Sequence, residues 1–187
     1  MEVVGFDKVK KEQSQMRGLR TVSVRNMVVG RGEGADDLIA ELPTLRDLDL
    51  SESLISSWSE VSTLCNQLQL HTLDLSYNLL PVNTLATIER QMKILKHLVV
   101  GHMFYTGYTT WTDILTLAPY LPSLSVLQIL NNFISSFPPT LFSSLTELDL
   151  DGNNLSSWSD IEQLSQLTHL RLNGIKLSRH INSCRQL

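Results

Sequence analysis

Histidine, serine and cysteine are the residues of this chain that could carry out chemistry. The histidines are His71, His97, His102, His169 and His180, and the cysteines are Cys65 and Cys184. No nucleophile elbow, phosphate-binding glycine loop, HExxH pair or CxxC spacing accompanies them. The sequence therefore predicts neither an enzyme nor a site for a metal or other cofactor. A hydrolase that uses surface serine and histidine is the alternative, and a substrate screen would test it.

The composition excludes two classes of partner. The 187 residues carry a net charge of −4, whereas nucleic-acid binders usually have a strong excess of basic residues. No apolar run approaches the roughly 20 residues that cross a bilayer, and the first residues lack a signal-peptide core. We therefore expect no nucleic acid and no membrane among its partners. Two isolated cysteines suit a reducing compartment, and the predicted location is the cytoplasm.

An internal repeat dominates the chain. The segments "LRDLDLSESLI", "LHTLDLSYNLL" and "LTELDLDGNNL" share the template LxxLxLxxNxL, whose residues we number from position one to position eleven. The segments "LSVLQILNNFI" and "LTHLRLNGIKL" follow the same template, and two further segments are weaker copies of it. The seven copies start at Leu19, Leu45, Leu70, Leu95, Leu124, Leu145 and Leu167. Their spacing of 21 to 29 residues lies in the range of leucine-rich repeats.

This template predicts an α/β leucine-rich-repeat solenoid. Alternation places the leucines at positions four and six on the inner side of a short strand, and neighbouring strands stack in parallel on the concave face. Short helices or extended crossings return the chain over the convex face. Asparagine at position nine can satisfy backbone groups of the turn. We therefore expect weaker turns where Met27, Ser53, Met103 and Ile175 replace it.

The three tryptophans occupy related hexapeptides: "SSWSEV", "TTWTDI" and "SSWSDI". Each has a Ser or Thr three residues before an acidic residue, which is the pattern of a capping box at a helix start. Helices of about 8 residues should follow. We interpret Trp58, Trp111, Trp158 and the related Phe137 as aromatics buried beneath the convex crossings. A convex contact surface is the alternative.

The predicted domain organisation has two parts. Residues 1–18 form an N-terminal capping segment, and residues 19–187 form about seven repeats. No C-terminal cap is visible in the sequence. Because a repeat stack needs a cap at both ends, we expect the chain to be a piece of a longer protein.

The candidate binding surface is the concave face, at positions two, three, five, seven and eight. Aspartates at position five are expected to be mostly solvated strand residues. Basic and aromatic side chains at the other positions suit an acidic protein partner. The candidate partner-binding residues are Arg25, Arg46, His71, Tyr77, Lys96, His97 and His102.

Several segments resemble the tubulin-folding cofactor E family. They are "GFDKVKKEQSQ", "LRTVSVRN" and "LISSW", and the similarity extends over essentially the whole chain. In that family the repeats lie between a CAP-Gly domain and a ubiquitin-like domain. Neither is found in residues 1–187.

The resemblance implies a non-catalytic chaperone of the cytoplasm that is associated with the cytoskeleton. Family members bind α-tubulin and act with cofactors C and D and a small Arf-like GTPase to assemble or take apart the tubulin heterodimer. The family's repeats offer no short motif whose functional residues could be carried over. A cofactor-E-like protein without CAP-Gly, and a passive spacer between flanking domains, are the alternatives.

Overall fold

The computed structural model describes residues 16–26, 41–81, 85, 87–103, 114–136, 142–162 and 164–177. Within them, seven three-residue strands form a single parallel sheet in which chain order and spatial order are the same. The strands are β1 (Thr21–Ser23), β2 (Asp47–Asp49), β3 (Thr72–Asp74), β4 (His97–Val99), β5 (Val126–Gln128), β6 (Glu147–Asp149) and β7 (His169–Arg171). The convex side carries α1 (Trp58–Leu68), a 3-10 helix (Ala118–Tyr120) and α2 (Trp158–Glu162). The predicted cap before Met16 lies outside the described residues.

Every strand covers positions three to five of the template, and the repeats are in register. Leu73 pairs with Leu48 on one side and with Leu98 on the other. Leu73 and Leu98 are fully buried, because alternation along the strand turns position four into the core. Apolar side chains at positions one, four and six of the second to sixth repeats thus form one continuous hydrophobic core.

The position-nine asparagines bond mainly to the repeat that precedes their own. The Asn78 Oδ1 atom accepts the N–H groups of Ser53 and Ile55, and its Nδ2 donates to the carbonyl of Leu50. The turns at Ser53 and Met103 are therefore tied by Asn78 and Asn132 of the next repeat. The prediction that these two turns are weaker was wrong, because the stabilising side chain comes from the neighbour.

Helix α1 packs an apolar stripe against the core. Its buried residues include Trp58, Val61, Cys65 and Leu68, which recur at the spacing of one helix face. The helix ends at Gln69, which adopts a left-handed conformation with φ of 55° and closes the last turn. Trp58 is fully buried, as predicted.

The burial of Trp158 and the capping box at Ser57 were predicted wrongly. Trp158 is 45% exposed, so the expectation that it is buried was wrong, and the helix that it starts, α2, has only five residues. The hydroxyl of Ser57 makes no capping bond, so the predicted capping box is absent there, whereas the Ser157 hydroxyl accepts the N–H of Ser159. Trp111 and Phe137 lie outside the described residues.

Candidate functional site

The concave face is a regular lattice because one carbonyl per repeat fixes the register. The carbonyl oxygen at position two accepts two N–H groups from the next repeat: that of Arg46 accepts from His71 and Thr72, and that of His71 from Lys96 and His97. Equivalent side chains therefore recur at the strand spacing of about 4.8 Å. The columns of side chains across the sheet define what this surface can bind.

Position two carries a column of basic side chains. Arg46, His71 and Lys96 are three of the seven predicted site residues, and Arg20 occupies the same position in the first repeat. We call these four residues the basic row. Arg20 and Lys96 are exposed, and Arg46 and His71 are partly exposed. Arg20 was missing from the predicted set, although the template itself places it in this column.

His97 does not belong to the basic row. It lies on β4 between Thr72 and Val126, it is half-buried, and its Nε2 atom has no hydrogen-bond partner among the described residues. Burial lowers the pKa of His97, and the nearby carboxylates, led by Asp74, oppose this effect without overcoming it. His97 is therefore a neutral group within the sheet.

The remaining candidates lie in the turns after the strands. The rings of Tyr77 and His102 are stacked, with centroids 4.1 Å apart and planes 12° from parallel. His102 also contacts the Asn131 amide through its Nε2 atom, at 3.1 Å, and burial lowers its pKa. Arg25 forms a hydrogen-bonded ion pair with Glu52, which raises the pKa of the guanidinium. The seven candidate residues thus lie in three places: before the strands, within the sheet, and in the turns after the strands.

The aspartates at position five have a structural role. Asp49, Asp74 and Asp149 each accept, through Oδ1, the backbone N–H two residues further on. The pKa of Asp49 is lowered because hydrogen bonds from Ser51 and Ser23 outweigh its partial burial, whereas burial raises that of Asp149. The expectation of solvated aspartates was wrong for Asp149, which is buried, whereas Asp49 and Asp74 remain partly exposed while they hold the turn that follows each strand.

A depression on the concave face between β5 and β7 was missed by the sequence analysis. Its volume is about 410 Å³. The Asp149 Oδ2 atom lies 3.6 Å from Arg171 Nη1, and the Glu147 Oε1 atom lies 3.7 Å from His169 Nδ1. Acidic groups of β6 thus face basic groups of β7. The lining residues are Val126, Gln128, Glu147, Leu148, Asp149, His169, Leu170 and Arg171. Positions three and five are acidic in the sixth repeat and basic in the seventh, and this opposition of charge could have indicated the region.

The described residues show no arrangement typical of metal binding or thiol chemistry. No cluster of three His, Cys, Asp or Glu residues with metal-binding geometry occurs among them. Full burial raises the pKa of the Cys65 thiol to about 12, which leaves it protonated and unreactive at neutral pH. No helix in the described part of the chain is long and apolar enough to span a bilayer.

The chain is similar to curated tubulin chaperones over almost its whole length. It is 35% identical to tubulin-folding cofactor E from Arabidopsis thaliana, over 98% of this chain and 35% of that protein. It is 37% identical to tubulin-specific chaperone E from Mus musculus, over 95% of this chain and 34% of that protein. The chain thus spans about a third of the length of these relatives. The resemblance seen in the sequence is confirmed over this length.

Among solved structures, the chain resembles internalin C2 from Listeria monocytogenes. The TM-score is 0.50 at 24% identity, and the match covers 90% of this chain and 77% of that one. This similarity shows the fold alone, and it confirms the predicted leucine-rich-repeat solenoid. No family model matches the chain.

Proposed function

We propose that this chain is a non-catalytic, protein-binding repeat region of a tubulin-folding chaperone. In this role it binds α-tubulin and takes part in assembly and disassembly of the tubulin heterodimer in the cytoplasm. The similarity to tubulin-specific chaperone E supports the chaperone role. Cofactors C and D and a small Arf-like GTPase are proposed as further partners of the full-length protein.

The basic row is the observation that carries the proposed binding mode. Four consecutive repeats present Arg20, Arg46, His71 and Lys96 at one end of parallel strands, on a rigid backbone. Basic side chains in register across several repeats complement an acidic surface and speed its association. We retain the acidic protein partner expected from the sequence, but we assign the contact to the basic row rather than to all seven candidate residues.

Sedimentation with purified αβ-tubulin tests the proposal. The chain should co-sediment at low salt and less so at high salt, because ionic strength screens exposed charges. The double variant Arg46→Glu and Lys96→Glu should weaken binding by about tenfold or more and flatten its salt dependence. Arg90→Glu is the matched control, since Arg90 is an exposed residue beside the convex helix α1 rather than in the row.

Equal binding by the double variant and the wild-type chain would remove the basic row as a tubulin contact. The repeats would then be a spacer or a dock for another cofactor. In that case, combined concave substitutions should leave the activity of the full-length protein intact, whereas deletion of whole repeats should impair it. A cofactor-E-like protein would be distinguished by the absence of CAP-Gly from the full-length chain.

A further inference from the structure

The turns after the strands carry a row of exposed apolar side chains. Leu54 is 61% exposed, Tyr77 46%, Leu79 47% and Phe133 51%. They occupy positions eight and ten of the second, third and fifth repeats, at the opposite end of the strands from the basic row. We call these four residues the apolar edge. Tyr77 is held flat there by its stack on His102.

The backbone at two of these residues is bent by the asparagines of the next repeat. Asn78 Oδ1 accepts the N–H groups on both sides of Leu54, and Asn153 Oδ1 accepts those on both sides of Phe133. Convergence of two N–H groups on one oxygen requires the residue between them to turn, and Leu54 and Phe133 have φ of 58° and 59°. Glycine or asparagine would adopt this left-handed conformation at lower cost than leucine or phenylalanine. Both positions thus hold a large, exposed apolar side chain in a backbone conformation that other residue types adopt more readily.

The charges beside the apolar edge are mainly negative, with Arg25 as the basic exception. In the second to fifth repeats, the residues with a formal charge between positions three and eight are Asp47, Asp49, Glu52 and Asp74. Glu52 is neutralised by Arg25, which leaves three carboxylates on β2 and β3. Three residues separate position five from position eight and span at most about 10 Å, which is within the 10–12 Å width of a helix.

We propose that the apolar edge is a docking site for a basic amphipathic α-helix of a partner protein. The helix lies across the repeats, where its pitch of about 5.4 Å approximates the strand spacing of about 4.8 Å. Its apolar stripe packs on Leu54, Tyr77, Leu79 and Phe133. Its basic flank faces Asp49 and Asp74. This surface is separate from the basic row, so each proposal is tested by different variants.

Fluorescence anisotropy with a designed peptide tests the site. The probe is a labelled helix of about 18 residues in which leucines form one face and lysines the remainder. It should bind the wild-type chain, and the double variant Leu54→Asn and Phe133→Asn should bind about tenfold more weakly or worse. Because asparagine tolerates the left-handed backbone, this variant should retain the thermal midpoint of the wild-type chain.

Three controls decide the outcome. Trp158→Ser removes an exposed aromatic outside the apolar edge and should leave peptide binding unchanged. A peptide with glutamate in place of lysine, and a scrambled peptide without an apolar face, should bind far more weakly. Equal binding of either peptide, or an equal loss with Trp158→Ser, would overturn the proposal. It would also be overturned if the chain alone formed a dimer that the double variant dissociates, because the edge would then receive a second copy of the chain.

Discussion

The asparagines at position nine show how a single side chain joins two repeats. Asn153 accepts the N–H groups of Asn132 and Ile134 and donates to the carbonyls of Ile129 and Leu150. Its side chain therefore satisfies four backbone groups, three of them in the preceding repeat. The template predicted a role in the turn, but the sequence could not show which turn, because that depends on how neighbouring repeats stack.

We expect Asn153→Ala to lower the free energy of unfolding by about 3 kcal/mol, since buried backbone groups lose their partner. Asn154→Ala is the matched control: Asn154 is exposed and adjacent, and its replacement should change stability by less than about 0.5 kcal/mol. Urea unfolding followed by circular dichroism measures both. Similar losses for the two variants would contradict this role of the Asn153 side chain.

His97 should make stability depend on pH. Its pKa in the folded chain is lowered by burial, whereas an unfolded chain has the ordinary value of about 6.5. As the pH falls through that value, the unfolded state takes up a proton that the folded state resists, so the free energy of unfolding decreases. Urea unfolding between pH 7.5 and 5.5 should show this decrease.

Replacement of His97 by Gln should reduce the pH dependence, and His102 should account for part of what remains, because its pKa is lowered as well. His169→Gln is the control, since His169 is an exposed residue of β7. An unchanged slope in the His97 variant would mean that the pKa of His97 is the same in the folded and the unfolded chain.

At the scale of the elements, strands and helices differ in how well the sequence predicts them. Apolar residues at positions one, four and six fix β2 to β6, because three buried side chains per repeat allow a single register. The convex crossings lack such a constraint. Two nearly identical hexapeptides therefore start helices of eleven and five residues, and one buries its tryptophan whereas the other leaves it exposed.

This difference between the helices is measurable. Trp58→Ala should lower the free energy of unfolding by about 3–5 kcal/mol, because a fully buried indole is removed from the core. Trp158→Ala should cost less than about 1 kcal/mol, since almost half of its side chain already meets solvent. Chemical denaturation of the two variants provides the comparison. Equal losses would contradict the exposure of Trp158.

At the scale of the whole molecule, the solenoid sorts side chains into columns with different chemistry. The sequence predicted the fold and the face that carries the candidate residues. It did not predict that carboxylates would be engaged by turns, as Asp49 is, or that Arg25 would be paired with Glu52. The Arg25–Glu52 pair joins residues that are 27 positions apart, and the Asp49 contact depends on the geometry of the turn. The residues predicted as one binding surface therefore divide into the basic row, a neutral His97 and the turns that carry the apolar edge.

The left-handed turns carry a consequence for anyone who redesigns this protein. Position eight is left-handed in all seven repeats of the described chain, from Asn26 to Gly174, whichever residue stands there. A consensus procedure would place asparagine or glycine at Tyr77 and His102, because these residues stand at position eight in four other repeats, and it would raise thermal stability. The same changes would remove Tyr77 from the apolar edge, together with the His102 ring on which it stacks. Thermostability and recognition are therefore opposing goals at these positions, and selection for thermal stability should lower the affinity for the partner helix.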